Sequence, residues 1–288
     1  MEHLGDFKLI FTDVLVEAVP FLALGVLVSF LFELFLPEDF LRRLFAGRTA
    51  AGVVVAAAAG FVFPVSEYCI VPVARKLRER GVPLPVALTL MVAGPSLSPV
   101  VVLATSVAFP NDANLVYLRF GLGFPLVVAM GLVFLLLGRG AGPAGGRDGA
   151  GGPEPAERLR AGFDGAVEDF VRMLGLLVFA CLVTAGVQAF IPHELVHKVA
   201  ENSALGVPAM MLLAFVTSTC SESDAFIAAA FAHFSHVSKL AFLLLGPVVD
   251  LKLVLMHFAF LPRRAAVGLL VIFPLLVVLA LAVVGKFI

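Results

Sequence analysis

The chain has 288 residues, of which 61% are hydrophobic and 14% are charged, and its mean hydropathy is +1.06. This composition excludes a large soluble domain and predicts an all-α polytopic membrane protein. The formal net charge of −1 gives no reason to expect a nucleic-acid partner. The expected partners are membrane lipid and a small-molecule solute. The sequence is also compatible with a homo-oligomer.

The first half of the chain, residues 1–138, is predicted to form a first transmembrane repeat of four apolar segments. Their approximate bounds are 9–36, 50–74, 84–109 and 114–137. The second segment is interrupted at 63–69, where Pro64 removes a backbone donor and disfavours helix at the preceding residue. The third segment carries Gly94-Pro95 near its centre. A Gly-Pro pair at that depth predicts a break whose freed backbone groups are satisfied by protein or water.

A Gly-, Ala- and Pro-rich stretch at 139–162 has no periodicity and predicts a flexible cytoplasmic linker. The second transmembrane repeat, residues 163–288, again carries four apolar segments, at about 167–191, 204–234, 239–261 and 265–285. The seventh segment is interrupted by Gly246-Pro247. The eighth is uniformly apolar and is expected to face lipid.

The most informative stretch is 217–224, Thr-Ser-Thr-Cys-Ser-Glu-Ser-Asp, inside the apolar sixth segment. An ionised acid at bilayer depth costs about 2.5–3.5 kcal/mol, so Glu222 and Asp224 indicate a substrate, ion or proton path. Asp224 could equally cap the helix that follows, because its side chain accepts from free N–H groups. The apolar arms on either side are too short to span, since a span needs about 20 residues. We therefore predict two half-helices that meet at a polar break.

The same landmarks occur in the same order in both halves. Glu67 lies 30 residues after Pro37, and Glu222 lies 30 residues after Pro192. The Gly-Pro pairs of the third and seventh segments follow in nearly the same register. This order indicates an internal duplication, as in many secondary transporters that carry broken helices at corresponding positions of two halves.

The positive charges bear on topology. If all eight segments cross, several Lys and Arg residues fall outside the cell. If the second and sixth segments are re-entrant, more of these residues lie on the cytoplasmic side, which fits the positive-inside bias better. The re-entrant arrangement leaves three spans per half and makes the two repeats inverted, and we favour it over eight spans.

Four sequence motifs resemble a known family. Residues 64–75 (Pro-Val-Ser-Glu-Tyr-Cys-Ile-Val-Pro-Val-Ala-Arg) and 93–100 (Ala-Gly-Pro-Ser-Leu-Ser-Pro-Val) are similar to the predicted permease family that includes the ArsP organoarsenical exporters and the YraQ-like proteins. Residues 220–226 and 245–252 agree in the second half. The resemblance covers nearly the whole chain. It implies a small-solute permease of the cytoplasmic membrane, and some members export trivalent organoarsenicals.

The first motif departs from the family pattern, which often reads Pro-x-Cys-x-Cys-Gly. Ser66 and Tyr68 stand at the two cysteine positions, and Cys69 stands at the glycine. A thiol pair would suit As(III), because soft thiolates prefer soft ions, so this departure counts against arsenical export. Cys220 remains in the second half, and a single thiol can still exchange with thiol-reactive solutes.

The predicted substrate and ion path consists of the residues at the breaks. They are Ser66, Glu67, Cys69, Gly94, Pro95, Ser96, Ser98, Cys220, Ser221, Glu222, Asp224, Gly246, Pro247, Asp250 and Lys252. Glu67 and Glu222 would repel each other if the two tips meet, which favours a shared proton. Asp250 and Lys252 form either an internal ion pair or a gate. No metal or cofactor is predicted.

These observations predict a secondary transporter, not an enzyme, for a thiol-reactive, sulfur-containing or metalloid solute. We expect proton coupling through Glu67 and Glu222. The alternative is a passive channel or facilitator for a small anion or neutral solute, which would move its solute without protons. A membrane enzyme or redox protein acting through Cys220 is the least favoured interpretation.

Overall fold

The structure, a computed structural model, describes residues 2–35, 50–62, 67–79, 81–138, 155–188, 205–231 and 234–285. All regular secondary structure in these ranges is helical, as the composition predicts. The described helices are α1 (Glu2–Phe35), α2 (Ala50–Val62), α3 (Glu67–Glu79), α4 (Leu84–Leu97), α5 (Pro99–Ala108), α6 (Ala113–Leu136), α7 (Pro155–Gln188), α8 (Gly206–Thr217), α9 (Ser223–Ala230), α10 (His236–Leu245), α11 (Leu251–Phe260) and α12 (Arg263–Val284).

Three helical stretches among the described residues are long and apolar enough to cross a membrane. They are Leu84–Ala108, which contains both α4 and α5, Ala113–Leu136 and Arg263–Val284. Shorter apolar helices surround them, including α8, α10 and α11. The helix α7 begins at Pro155, inside the stretch predicted as linker, and the remainder of that linker lies outside the described residues. The fold is therefore that of a helical membrane protein.

The sixth and seventh segments are broken where the sequence predicts. The helix α8 ends at Thr217, and Ser218 adopts a left-handed backbone with φ of 46°. The next helix starts at Ser223, so two half-helices meet at the polar stretch. In the seventh segment α10 ends at Leu245 and α11 begins at Leu251, with Gly246-Pro247 between them.

The break predicted at Gly94-Pro95 in the third segment is wrong in position. The helix α4 continues through both residues, and the interruption falls at Ser98. Ser98 has an extended backbone, with φ of −61° and ψ of 151°. The cause is Pro99, because a proline disfavours helical backbone at the residue before it. The Ser98 hydroxyl then accepts a hydrogen bond from the Val101 N–H at 3.4 Å and caps α5.

The core is built around α4, whose residues are buried on all sides except at Ser96. Two glycines allow α2 and α6 to approach α4 or each other closely. A Cβ on Gly60 of α2 would lie 2.7 Å from the backbone carbonyl carbon of Ala93. A Cβ on Gly131 of α6 would lie 2.6 Å from Val53 of α2 and would also meet the Thr89 hydroxyl. Small residues at such crossings permit the backbone contact that stabilises helix pairs in membranes.

The last helix, α12, has one buried and one exposed apolar face. The buried face carries Leu269, Phe273, Val277 and Leu281. The exposed face carries Val267, Val271, Leu275 and Leu279, again four residues apart. A helix that is apolar on its exposed face fits a lipid environment, as the sequence predicts for this segment.

Candidate functional site

A buried arginine joins the two halves of the protein. Arg119 of α6 is 1% exposed. Its Nη1 donates a hydrogen bond to the Thr105 hydroxyl at 2.5 Å, and its Nη2 donates to the Ser221 carbonyl oxygen at 3.2 Å. Charged hydrogen bonds of this kind are stronger than neutral ones. Arg119 thus attaches α5 and α6 of the first half to the polar break between α8 and α9.

A buried carboxylate lies on the other side of that break. Asp224 is 1% exposed, and its Oδ1 accepts a hydrogen bond from the Thr219 hydroxyl at 2.6 Å. Its Oδ2 lies so close to Gly246 that a Cβ there would collide with it. Asp224 and Arg119 attract each other electrostatically without a direct hydrogen bond. Asp224 therefore connects the polar break to the Gly-Pro pair of the seventh segment.

A second contact joins these two breaks. The Ser218 hydroxyl accepts a hydrogen bond from the Leu251 N–H at 2.9 Å, at the first residue of α11. Asp250 caps the same helix, since its Oδ1 accepts from the Leu253 N–H at 2.6 Å. Asp250 and Lys252 are at most 1% exposed and attract each other electrostatically. The breaks of segments six and seven form one buried polar cluster.

Several polar atoms in and beside this cluster have no hydrogen-bond partner within the described part of the chain. They are Ser96 Oγ, Arg119 Nε, Asp224 Oδ2, Asp250 Oδ2 and His257 Nδ1. Buried polar atoms of native proteins are nearly always paired, so each exception asks for an explanation. These atoms are able to hydrogen-bond a polar solute or water.

The structure brings together several of the residues that the sequence assigns to the path. Ser221, Asp224, Gly246 and Asp250 belong to the cluster, while Cys220 is buried with its Sγ 3.3 Å from the Ser223 hydroxyl. Pro95 and Pro247 line one small cavity together with His257.

Other predicted residues are less well placed. Glu222 is only half-buried and makes no capping hydrogen bond. Gly94 lies within α4, and Ser98 caps α5. Ser66 and the side chains of Glu67 and Cys69 lie outside the described residues.

Sequence reasoning missed Arg119, Ser218 and His257. A signal existed for Arg119, because a charged residue inside an apolar helix is costly wherever it occurs. No such signal exists for Ser218, whose role depends on a backbone conformation that serine rarely adopts. No group of three or more metal-ligating side chains is found among the residues that the structure describes.

A family model described as "Predicted permease" (ArsP_1) matches residues 3–286. The chain belongs to this permease family. The permease is 31% identical over 280 residues to the UPF0718 protein YcgR of Bacillus subtilis, with 94% of each chain covered. It is also 31% identical over 257 residues to a Streptococcus mutans protein named as a subunit of a two-component membrane permease complex, covering 86% of the permease and 84% of the relative. No solved structure matches it.

Family membership confirms the resemblance drawn from the four sequence motifs. Together with the long apolar helices, it identifies a membrane permease. Family membership does not identify the solute, and the names of the two relatives do not mention one.

Proposed function

We propose that the permease is a secondary transporter that moves a small thiol-reactive, sulfur-containing or metalloid solute through the buried polar cluster. The observation that carries the proposal is the set of buried polar atoms around the breaks of the third, sixth and seventh segments that have no hydrogen-bond partner among the described residues. An unpaired buried polar group costs about 1–3 kcal/mol. Asp224 is close enough to both Arg119 and Asp250 to interact with them electrostatically, and three such buried groups together support a polar occupant during function.

Proton coupling is assigned to Glu67 and Glu222. Glu222 lies at the start of α9, within electrostatic range of Arg119. An acid inside an apolar membrane segment marks an ion or proton path by default, which supports this assignment. Glu67 begins α3 at the corresponding position of the first half. The duplication of the sequence supports a matching role for it.

We propose the inverted arrangement, with re-entrant second and sixth segments. His236 Nε2 lies 2.7 Å from Asp112 Oδ2, so the loop after α5 and the start of α10 lie at the same end of the molecule. Lys239 lies over the Phe109 ring, 5.8 Å from its centroid, at the same end. The eight-span topology would put these loops on opposite sides of the membrane, so both contacts support the inverted arrangement.

Labelling of single cysteines tests this topology. Asp112→Cys and His236→Cys are placed separately in a chain whose native cysteines are replaced by serine. A membrane-impermeant maleimide applied to intact cells should label both positions. Labelling of one position from outside and of the other only after permeabilisation would refute the inverted arrangement.

A flux assay tests the transport proposal. The purified permease is reconstituted in liposomes that contain a pH-sensitive dye, and trivalent organoarsenicals, arsenite, glutathione persulfide, thiosulfate and sulfite are added in turn. We expect one of these solutes to trigger proton movement, and Glu67→Gln/Glu222→Gln to abolish it. Glu168→Gln, at an exposed position of α7, is the matched control and should behave as wild type.

Two other results would change the interpretation. Equal solute flux in the double variant, without proton movement, would support the passive facilitator instead. The same assay bears on assembly, because the Streptococcus mutans relative is named as a subunit of a two-component complex. Transport by the purified chain alone would exclude an obligatory second component.

A further inference from the structure

A large basic cavity opens at one end of the helical bundle, away from the polar cluster. It has a volume of about 740 Å³ and lies between α3, α7 and the junction of α11 with α12. Its lining includes Arg75 and Arg78 of α3, Arg172 of α7, and the rings of Phe179 and Phe260. We call it the arginine vestibule. The topology favoured by the charge bias places all three arginines on the cytoplasmic side.

All the charged side chains that the structure describes in the lining of the vestibule are basic. The lining residues that the structure describes include three guanidinium groups and no carboxylate. Arg78 is half-buried, and its buried Nη1 has no hydrogen-bond partner in the described part of the chain. A guanidinium group binds carboxylate, phosphate and similar oxyanions through two parallel hydrogen bonds. Apolar walls around such groups lower the local dielectric and strengthen the attraction.

The vestibule continues toward the interior through two smaller cavities. The first shares Arg75, Arg78 and Phe260 with the vestibule. The second shares Val71 and Met91 with the first. Common lining residues mean that the three cavities follow one another along α3 and α4.

The inner end of this series lies beside the buried polar cluster. The last cavity is lined by Pro95, Pro247 and His257, and by Leu253, whose N–H binds Asp250. The two inner cavities hold about 10 Å³ each, which is near the lower limit for a single water molecule. The route is therefore closed to solute in this conformation and open only at the vestibule.

We propose that the arginine vestibule binds a small oxyanion, and that the permease takes its substrate in this anionic form. The second part rests on the proposed transport function, whereas binding at the vestibule does not. A free solute with a sulfur oxyanion, phosphate or carboxylate group and the phosphate of a lipid headgroup present the same chemistry. The arrangement of cavities favours the free solute, because the vestibule leads inward to the Gly-Pro break of the seventh segment.

Binding of radiolabelled thiosulfate to the purified permease in nanodiscs of pure phosphatidylcholine tests the site. Loss of a hydrogen bond to a charged group weakens binding about tenfold or more, so Arg78→Gln and Arg172→Gln should each raise the Kd by at least that factor. Arg160→Gln, at an exposed position of α7 outside the vestibule, should bind as wild type does. Unchanged binding in both vestibule variants, or no binding by the wild type, would overturn the proposal.

Two additions keep this result interpretable. Arg172 is exposed, so its replacement should leave the fold intact even if that of Arg78 does not. Arg78→Lys retains the charge but loses the paired hydrogen bonds, and it should bind more tightly than Arg78→Gln.

A second set of nanodiscs separates the two sources of the oxyanion. Phosphatidylglycerol is added, and bound lipid is measured by native mass spectrometry. If wild type retains phosphatidylglycerol, the vestibule variants lose it, and thiosulfate does not displace it, the site belongs to lipid and the solute assignment is wrong. Displacement of the lipid by thiosulfate would support the free anion.

Transport assays distinguish failure of this proposal from failure of the transporter. Flux of a neutral trivalent methylarsenical without thiosulfate binding would leave the transport proposal intact and refute the anionic substrate. Thiosulfate binding that depends on the vestibule, with no flux of any solute, would support the binding site and refute the transporter.

Discussion

Replacing Arg119 by methionine would remove the side chain that attaches the first half to the polar break. The substitution keeps an unbranched side chain of similar length but loses the hydrogen bonds to Thr105 and to the Ser221 carbonyl oxygen. It also removes the stronger of the two positive charges that act on the buried Asp224 and leaves only Lys252. Breaking one partner of a buried charge pair costs about 3–5 kcal/mol, and we expect a loss of stability of that size.

Thermal unfolding in detergent measures this loss. A thiol-reactive dye reports unfolding, because Cys181 and Cys220 are buried in the folded protein. A loss of about 3–5 kcal/mol corresponds to a fall in Tm of roughly 5–8 °C for a chain of this size. Arg160→Met, at an exposed position, is the control and should change Tm by no more than about 2 °C.

A double variant separates charge from packing. Asp224→Asn removes the negative charge that Arg119→Met leaves less compensated, so the double variant should be more stable than the sum of the two single losses predicts. The expected coupling is about 0.5–3 kcal/mol. Strict additivity of the two single losses would refute the electrostatic argument. If Arg119→Met had the same Tm as the Arg160→Met control, the structural role of Arg119 would be refuted.

Two further substitutions test the contacts at the seventh segment. Gly246→Ala should destabilise the permease by about 1–3 kcal/mol, because the new methyl group meets the Asp224 carboxylate. Gly121→Ala is the control and should not destabilise it, because a Cβ at that position meets nothing within 4 Å. Equal Tm values for the two variants would contradict the prediction. Asp250→Ala should cost about 3–5 kcal/mol, because it removes the helix cap at the Leu253 N–H and also the negative charge beside the buried Lys252. Asp250→Asn should recover only about 0.5–2 kcal/mol of that loss, since asparagine caps as well as aspartate but carries no charge. A wild-type Tm in the Asn variant would contradict the role of the charge.

The sequence predicts the break of the sixth segment well, because polar residues and two acids interrupt an apolar run there. The sequence also predicts the break at Gly246-Pro247, where a proline follows a conformationally flexible glycine. It fails at Gly94-Pro95, because a proline inside a helix removes one hydrogen bond without ending the helix. Only Pro99 ends α4, through its effect on the backbone of Ser98.

The membership of the cluster could be predicted only in part. The acids Asp224 and Asp250 stand out in an apolar sequence, and both are buried in the cluster. Arg119 also stands out, but its partner Ser221 is 102 positions away in the chain, and no local pattern relates the two. The contact of Ser218 with Leu251 depends on a left-handed backbone that composition does not reveal.

The close glycine contacts between α2, α4 and α6 bear on whether water and protons can leak through the permease. A permease must stop water and protons from slipping past while it carries its solute. At Gly60 and Gly131 the helices approach so closely that even one methyl group would not fit between them. The close packing at these two glycines leaves no room for a water-filled path between the helices there, and we expect this side of α4 to stay closed during transport. The cavities beside Met91 lie on α4 toward α3 and α11, and conformational change on that side can open a route while the side at the two glycines stays closed.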